Sequence, residues 1–256
     1  MSAAGPPQGA NAPSGGSAAA QAASVGARKL ALFDLDGTLL DGDTDELWCE
    51  FLVGEGVLAR ADFEARNRSI VERYRAGAVT PAEFCAFYAS TLAGRSRDGW
   101  LALRTRFVAT QILPRIGAAA RALVARHRAA GERVLLTTAT NRFLTEPIAA
   151  ALEIAESDLI ATELEEADGA FTGANAGVLN MREGKVERLA AWLEARNLPT
   201  SLLAEATFYS DSANDLPLLR RVGRAVAVDP DPRLRDEAAR RGWPVLVLAR
   251  PTGPSP

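Results

Sequence analysis

The sequence predicts an α/β protein in which a parallel β-sheet has helices on both faces and carries a small all-helical insertion after the first strand. Short apolar runs such as LALF and VLL recur along the chain, and segments with apolar residues at helical spacing separate them. Buried strands that alternate with helices are typical of a parallel sheet. Residues 43–112 show only helical spacing and are too long for a loop, which predicts the insertion.

Changes in composition and apolar pattern along the sequence predict four parts of the chain. Residues 1–27 are rich in Ala, Gly, Ser and Pro and lack the pattern of a signal peptide, so we expect a disordered tail. Residues 28–42 and 113–250 are predicted to form the α/β core, and residues 43–112 a helical cap. Residues 251–256 are expected to be a flexible C-terminus.

The core elements follow in a regular order. After the strand LALF and the insertion come the helix IGAAARALVARHRAAG, the strand RVLLTTAT, the helix FLTEPIAAALEI and a hairpin that turns near Asp168-Gly169. Asp-Gly is a strong hairpin turn signal. The helix KVERLAAWLEARN, a strand and helix in ATFYSDSANDLPLLRRVG, the strand RAVAVDP, a helix over residues 235–241 and the strand WPVLVL complete the core.

Composition and charge exclude several classes of partner. Of the 256 residues, 48% are hydrophobic and 24% are charged, as in an ordinary globular protein. The net charge of −3 leaves no basic excess to neutralise phosphates, so no nucleic acid is expected as a partner. No apolar run approaches the roughly 20 residues that cross a bilayer, so no membrane partner is expected.

The cysteine and histidine content argues against zinc. The two cysteines, Cys49 and Cys85, form no C-x-x-C pair, and the single histidine, His127, lies in an Arg/Ala-rich helical stretch. We expect reduced thiols in a cytoplasmic protein, although the sequence alone leaves a disulfide open.

Acidic residues follow two of the predicted strands. Asp34 and Asp36 follow LALF, and Asp211 and Asp215 follow TFYS. Parallel strands bring their carboxyl ends to one edge of the sheet, where ligands bind. Four carboxylates at one edge repel each other, and a hard divalent cation relieves that repulsion. An all-oxygen set of ligands predicts Mg²⁺ as the cofactor.

The same edge carries groups that suit a phosphate. Hydroxyl and backbone N–H groups lie at the strand ends, including TTAT at residues 137–140. Lys185, at the start of the helix KVERLAAWLEA, is the only lysine apart from Lys29 and is the natural cation for the site. The sequence therefore predicts that this edge of the sheet holds a phosphate group.

The motifs D-L-D-G-T-L, T-A-T after an apolar strand, a lone lysine that opens a helix, and D-S-A-N-D occur in this order. Together they resemble the haloacid dehalogenase-like (HAD) hydrolase superfamily over residues 29–248, with a Rossmann-like core. The helical insertion resembles the cap of subclass I, and the chain is similar to the phosphoserine phosphatase-like group, subfamily IB. Each motif is short, but the four in order are a specific signal.

The resemblance implies catalytic roles for four residues. Asp34 would be the nucleophile that forms an aspartyl-phosphate intermediate, and Asp36 the general acid and base. Thr138 would donate a hydrogen bond to the transferring phosphoryl group and Lys185 would neutralise its charge, so both would also bind substrate.

The resemblance also implies a metal site. Asp211 and Asp215 would hold Mg²⁺ together with the Asp34 carboxylate and the Asp36 carbonyl oxygen. Asn214 would shape this metal loop and contact the substrate.

Several of these assignments have simpler alternatives. Asp36-Gly37 could form a turn, and the D-S-A-N-D segment could cap the helix that follows it. Lys185 could be an exposed helix residue. Thr138 competes with Thr137 and Thr140 for the phosphate contact.

Asp43 is the candidate for substrate selection. In phosphoserine phosphatases a glutamate at the matching position binds the ammonium group of the substrate, and the shorter aspartate here puts phosphoserine in doubt. The stretch G-D-T-D-E-L-W resembles a branch that includes histidinol-phosphate phosphatases, so L-histidinol phosphate is the first candidate substrate. Asp43 could instead solvate a turn, and Arg66, Arg68, Arg73 and Arg75 could bind a carboxylate or form an exposed helix face.

The predicted function is therefore an Mg²⁺-dependent phosphatase for a small amine-bearing phosphomonoester. Phosphoserine phosphatase is the first alternative, and a phosphotransferase or mutase is the second. A non-catalytic phosphate-binding module is a third, but it requires a broken catalytic set. The sequence leaves the oligomeric state open.

Overall fold

The structure is a computed structural model that describes Met1, residues 29–76 and residues 78–249. The predicted tail beyond Met1 and the predicted flexible C-terminus lie outside the described residues. In the described part, seven strands form one sheet. These strands are β1 (Leu30–Phe33), β2 (Arg133–Asn141), β3 (Leu159–Ala167), β4 (Ala170–Ala176), β5 (Thr207–Ser210), β6 (Arg224–Val228) and β7 (Val245–Leu246).

The sheet has the order β4-β3-β2-β1-β5-β6-β7, with β1 at its centre. β1 pairs in parallel with β2 on one side and with β5 on the other. β4 alone among these strands is antiparallel, as the second arm of a hairpin with β3. Asp168 and Gly169 turn this hairpin with positive φ angles of 52° and 75°, so the predicted turn is confirmed.

Helices connect the strands. Those between β1 and β2 are α1 (Thr44–Gly54), α2 (Arg60–Arg75), α3 (Pro81–Ala89), α4 (Arg97–Phe107) and α5 (Ala118–Ala129). Those after β2 are α6 (Arg142–Ala151), α7 (Glu183–Glu194), α8 (Leu216–Leu219) and α9 (Pro232–Arg241). The predicted α/β class is confirmed, and α1 to α4 form a helical segment between β1 and α5.

Local sequence signals explain where several helices begin. The Asp43 side chain accepts a hydrogen bond from the Glu46 amide and caps α1. Thr80 and Glu83 form a reciprocal capping box at α3, with Pro81 at its first position. These caps satisfy amide groups that have no partner within the helix.

Alternate residues of β1 enter the two hydrophobic clusters, one on each face of the sheet. Ala31 and Phe33 belong to one cluster, and Leu30 and Leu32 belong to the other. All four residues of the strand are fully buried. The first cluster extends without a break into the helical segment, whose members include Trp48, Trp100 and Phe107. One apolar cluster therefore joins this helical segment to one face of the sheet.

Three elements differ from the expectation in length. The final strand is only Val245–Leu246, although WPVLVL suggested a longer one. Val245 is 51% exposed and Val247 is 76% exposed, so this sheet edge buries too little apolar surface to extend the pairing. The helix after Asp215 is a single turn, and α9 begins at Pro232, before the predicted position 235.

Cys49 and Cys85 are both free thiols, so the disulfide alternative is wrong. Among the described residues, no single helix has the length and apolar composition to cross a membrane. One bent helix pair, Arg97–Arg115 with Ala118–Ala129, passes the same test of length and composition.

Candidate active site

The carboxyl ends of β1, β2 and β5 meet at one edge of the sheet. Asp34 directly follows β1, and its amide donates a hydrogen bond of 3.0 Å to the Tyr209 carbonyl of β5. Asp211 directly follows β5, and the threonines of residues 137–140 end β2. The predicted convergence of the first and last acidic motifs therefore appears in the fold. The chemical roles of these residues remain a prediction.

Lys185 is the buried cation of the site. It lies in the first turn of α7 and is 2% exposed. Its Nζ donates to Asp34 Oδ1 at 2.8 Å and to Asp215 Oδ2 at 2.7 Å. Ser210 Oγ also donates to Asp215 Oδ2 at 2.8 Å. The alternative of an exposed helix lysine is wrong, because Lys185 joins two carboxylates from separate strand ends.

Burial shapes the ionisation of this cluster. It raises the pKa of Asp34, and Lys185 only partly opposes it while Asp215 and Asp211 add to it. Burial is also the largest cause that raises the pKa of Asp211 to about 6. For Lys185, burial acts to lower the pKa, but Asp215 and Asp34 outweigh it and the net pKa is raised. The site therefore holds more negative charge than its lysine neutralises.

Asp211 is held against the first loop by Thr38 and Gly37. Thr38 Oγ1 donates to Asp211 Oδ1 at 2.9 Å and accepts from the Asp211 amide at 2.9 Å. Gly37 has a φ of +69°, and a Cβ there would lie 2.3 Å from Asp211 Oδ2. Any side chain at this position would therefore displace the Asp211 carboxylate. This close approach explains why glycine follows the second aspartate of the motif.

The Asp36 carboxylate is surrounded by hydrogen-bond donors. The Thr44 amide donates to Asp36 Oδ1 at 2.7 Å, and Thr44 Oγ1 also donates to this oxygen. Thr140 Oγ1 donates to Asp36 Oδ2 at 2.8 Å, and Thr138 Oγ1 contacts the same oxygen at 3.3 Å. Since Thr44 is the first residue of α1, the helical segment is tied directly to the predicted general acid and base.

The three candidate threonines occupy different environments. Thr137 Oγ1 faces inward and accepts from Asn180 Nδ2 at 3.0 Å. Thr138 is fully buried and its hydroxyl accepts from the Thr140 amide at 3.2 Å. Thr140 lines the central cavity together with Ala139. Thr137 is thus turned away from the cavity, whereas Thr138 and Thr140 both contact Asp36.

A cavity of about 370 Å³ lies at this edge of the sheet, large enough for a small metabolite. The strand ends and the start of α7 contribute Asp34, Asp36, Thr140, Lys185, Asp211, Asn214 and Asp215 to its lining. The helical segment and the loop before it contribute Asp43, Asp45, Phe84 and Cys85. Both the sheet and the helical segment therefore contribute acidic residues to the cavity wall, and the helical segment also contributes apolar ones.

Asp43 and Asp45 give the helical side its charge. Burial is the largest cause that raises the pKa of Asp43 to about 7, and the nearby Asp36 contributes to this rise. Asp43 keeps an exposed edge, but its carboxyl group lies in the cavity wall beside other acids. Burial also raises the pKa of Asp45, with Asp43 and Asp36 adding to the effect. Asp43 is therefore not simply a solvent-exposed turn residue, because it both caps α1 and lines the cavity.

Asn214 links the late acidic motif to α7. Its side-chain Oδ1 accepts from Arg182 Nε at 3.2 Å, and its amide donates to Ser212 Oγ at 3.2 Å. Arg182 precedes α7 with φ 53° and ψ −123°, a conformation that non-glycine residues rarely adopt. Ser212 caps the turn that contains Asn214, and Asp215 occupies the N-cap position of α8 without a capping side-chain hydrogen bond.

The ligand chemistry of the site fits magnesium. The predicted ligands are all oxygens: the carboxylates of Asp34, Asp211 and Asp215 and the carbonyl of Asp36. Among the described residues, no group of three or more Asp, Glu, His or Cys side chains is arranged so that these side chains alone could hold a metal ion. Mg²⁺ requires no such arrangement, because it retains several waters and takes few carboxylates. The unneutralised charge around Asp211 also favours a cation.

The site also includes residues to which the sequence alone assigned no role. Asp45 and Thr44 lie in the stretch D-G-D-T-D, where their proximity to the first motif was a usable signal. Phe84 and Cys85 lie in α3, and no local pattern distinguishes them from other apolar helix residues. Burial raises the pKa of Cys85 to about 12, so it lines the cavity as a neutral thiol.

Sequence comparisons identify the family of this chain. A sequence model of the haloacid dehalogenase-like hydrolase family matches residues 31–220. A histidinol-phosphatase of Neisseria meningitidis is 38% identical over 220 residues, which are 86% of this chain and 98% of that protein. A phosphoserine phosphatase of Mycobacterium tuberculosis is 34% identical over 225 residues, 84% of this chain and 69% of that protein. The chain therefore belongs to the haloacid dehalogenase-like hydrolase family, as a phosphatase-type member.

Solved structures agree on the fold. A Bordetella pertussis protein of unknown function is 42% identical, with a TM-score of 0.82 over 86% of this chain and 99% of that one. A phosphoserine phosphatase in a substrate-bound complex is 20% identical, with a TM-score of 0.61 over 85% of this chain and 92% of that one. The resemblance inferred from the four motifs is thus confirmed.

Proposed function

We propose that the protein is an Mg²⁺-dependent phosphatase that hydrolyses a small amine-bearing phosphomonoester through an aspartyl-phosphate intermediate. The observation that carries this proposal is the contact of buried Lys185 with Asp34 at 2.8 Å, at the wall of an acidic cavity. A carboxylate nucleophile beside a fixed cation suits attack on a phosphate, since phosphoryl transfer depends on positioning and charge neutralisation.

In the first step, Asp34 attacks the phosphorus atom and the ester oxygen departs. Lys185, anchored between Asp34 and Asp215, offsets the negative charge of the phosphoryl group. Thr138 and Thr140 are both near Asp36, and either hydroxyl is suited to a phosphoryl oxygen. Asn214 is proposed to contact the substrate from the loop after β5.

Asp36 would protonate the departing oxygen and later take a proton from the attacking water. It lies two residues from Asp34 and is oriented by the hydrogen bonds from Thr44, Thr138 and Thr140. The second step hydrolyses the acyl phosphate on Asp34 and releases inorganic phosphate. One residue thus serves as acid and base in turn.

Mg²⁺ would be held by the carboxylates of Asp34, Asp211 and Asp215 and by the Asp36 carbonyl oxygen. Bound there, it supplies positive charge that orients the phosphate and offsets the crowded carboxylates. Thr38 and Gly37 support this role indirectly, because they hold Asp211 in place.

L-Histidinol phosphate is the first candidate substrate and phosphoserine the second. Among the described residues, Lys185 is the only cationic side chain in the cavity lining, and it already binds two carboxylates. The side chains of Arg66, Arg68 and Arg73 are exposed and lie outside that lining; the Arg75 side chain is outside the described residues. A substrate carboxylate would therefore face Asp43 without a partner. The name of the Neisseria relative supports the same choice.

The helical segment is proposed to act as a separate cap over this site, with the boundaries 43–112. Its contribution of Asp43, Asp45, Phe84 and Cys85 to the cavity supports this assignment. A small phosphorylated metabolite in the cytoplasm is the proposed partner, in keeping with the free thiols of Cys49 and Cys85.

A kinetic comparison tests the proposed function. We expect kcat/KM for L-histidinol phosphate to exceed that for phosphoserine by at least about tenfold, since one unpaired charge contact costs more than about 1.4 kcal/mol. Activity should disappear in EDTA and return with added Mg²⁺. Activity that persists in EDTA would contradict the metal role, and better turnover of an uncharged sugar phosphate would contradict the amine preference.

Thr44→Val is expected to weaken acid catalysis by Asp36. The valine keeps the shape and the backbone donor but removes the hydroxyl contact to Asp36. We expect kcat/KM for an alkyl phosphate to fall about 10- to 100-fold, because general acid catalysis contributes about 10² to 10⁴. The fall should be smaller for p-nitrophenyl phosphate, whose leaving group needs less protonation.

Thr44→Ser is the matched control, because it restores the hydroxyl. It should recover most of the alkyl phosphate activity. Equal losses on both substrates in Thr44→Val, without rescue by serine, would mean that Thr44 acts only in folding.

A further inference from the structure

Asp45 is a carboxylate that the phosphatase mechanism does not use. It is the second residue of α1 and lines the same cavity as Asp34 and Lys185. No hydrogen bond or ion pair of its carboxylate is found within residues 29–76 and 78–249. Its charged neighbours, Asp43, Asp36 and Glu46, are all acids. Within the described part of the chain, Asp45 therefore meets repulsion from other acids and has no compensating cation.

Asp43 differs from Asp45 in one respect. Its Oδ1 accepts the Glu46 amide at 2.9 Å, so part of its carboxylate is committed to capping α1. An acid in the first turn of a helix is also stabilised by the helix dipole, and this is the simplest reason for Asp45. Helix stabilisation does not require the residue to face a cavity, however, and Asp62 provides the same first-turn charge on the exposed surface of α2.

The rest of the helical side of the cavity is apolar or neutral. Phe84 and the neutral thiol of Cys85 lie in the lining beside the two acids. When the phosphate of a substrate lies near Lys185, its organic part is left to contact this side. A hydrocarbon or ring body suits Phe84, and positive charge suits Asp43 and Asp45.

We propose that Asp45 binds a second basic nitrogen of the substrate, so that Asp43 and Asp45 together select phosphomonoesters of alcohols with two basic groups. This inference rests on the proposed phosphatase function and narrows its substrate class. An amino alcohol with an additional basic ring nitrogen fits the pair. An alcohol with one ammonium group leaves one acid unpaired, and a carboxylate adds a third negative charge to the wall.

The test compares the parent protein with Asp45→Asn, a nearly isosteric variant without the charge. The probes are L-histidinol phosphate, O-phosphoethanolamine and p-nitrophenyl phosphate, which carry two, one and no basic nitrogens. We expect Asp45→Asn to lower the ratio of kcat/KM for L-histidinol phosphate to that for p-nitrophenyl phosphate by about 10- to 100-fold, mainly through KM. The ratio for O-phosphoethanolamine should fall less.

Asp62→Asn is the matched control, because it removes a first-turn acid outside the cavity. It should leave all three ratios unchanged. Asp45→Glu keeps the charge and should retain the preference for L-histidinol phosphate. If Asp45→Asn changes the ratios no more than Asp62→Asn does, Asp45 serves only the helix and the inference is overturned.

Binding of L-histidinol by calorimetry separates this inference from the proposed function. A parent protein without turnover of any probe would refute the phosphatase proposal. Binding decides the role of Asp45 in either case: we expect the Kd for L-histidinol to rise about tenfold or more in Asp45→Asn. An unchanged Kd would overturn the inference even if the parent protein is an active phosphatase.

Discussion

Asp34→Asn is expected to abolish phosphatase turnover, with a loss of at least about 10³-fold in kcat. The amide has nearly the shape of the carboxylate but is a very poor nucleophile toward phosphorus. Its oxygen can still accept the hydrogen bond that Lys185 donates to Asp34 Oδ1. The fold should therefore persist while the reaction stops. Phosphate release from p-nitrophenyl phosphate with Mg²⁺ measures the effect.

We also expect Asp34→Asn to fold at least as stably as the parent protein. Burial raises the pKa of Asp34, so its charged form costs stability near neutral pH. Replacing it with a neutral amide should leave the melting temperature equal or higher. Asp62→Asn, the surface control, should keep full turnover. Substantial turnover by well-folded Asp34→Asn would show that another group attacks the phosphate.

Lys185→Met is expected to lose both activity and stability. The methionine fills similar volume but leaves Asp34 and Asp215 without their shared cation. Removing one partner from a buried ion pair typically costs about 3–5 kcal/mol. We expect a fall of that size in the free energy of unfolding without Mg²⁺ at pH 8, measured by urea denaturation. Turnover should fall by at least about 10²-fold, because the phosphoryl charge loses its fixed partner.

The loss of stability should depend on pH with a definite sign. Without Lys185, the pKa of Asp34 would lie even further above its unfolded value. A carboxyl group with a raised pKa binds its proton more tightly in the folded state, so its stability cost is present at high pH and disappears at low pH. The destabilisation should therefore be larger at pH 8 than at pH 5.

Arg188→Met provides the matched control on the same helix. Arg188 pairs with Glu163 outside the cavity, with side chains 19% and 36% exposed. Arg188→Met should lower the free energy of unfolding less than Lys185→Met does, and the variant should retain turnover. Equal stability losses at pH 5 and pH 8 in Lys185→Met would contradict the electrostatic account of the lysine.

The fold was largely predictable because its central strand has an unambiguous pattern. Each residue of LALF is apolar, and both faces of β1 are buried against separate clusters. The hairpin was predictable because Asp168 and Gly169 tolerate positive φ angles. The final strand was not, because Val245 and Val247 are apolar but lie largely exposed at a sheet edge. Hydrophobic pattern alone does not distinguish a buried strand from an exposed extension.

The site was predictable where its residues directly follow strands. Asp34 and Asp211 come together because β1 and β5 are adjacent and parallel. Asp45 was harder to predict, because an acid in the first turn of a helix already has a local explanation. Phe84 was unpredictable from local sequence, since its place in the cavity depends on how α3 packs over the sheet. Tertiary packing determines that part of the site, and the periodicity of apolar residues in the sequence does not reveal it.

The most direct test of the central claim is chemical trapping of the phosphorylated enzyme. The parent protein, quenched in acid during turnover of a ³²P-labelled substrate, should carry label that borohydride removes by reducing the acyl phosphate to an alcohol. Peptide mapping should then find homoserine in place of Asp34 and nowhere else. Label on another residue, or turnover without any trapped acyl phosphate under conditions where hydrolysis of the intermediate is slow, would contradict the account.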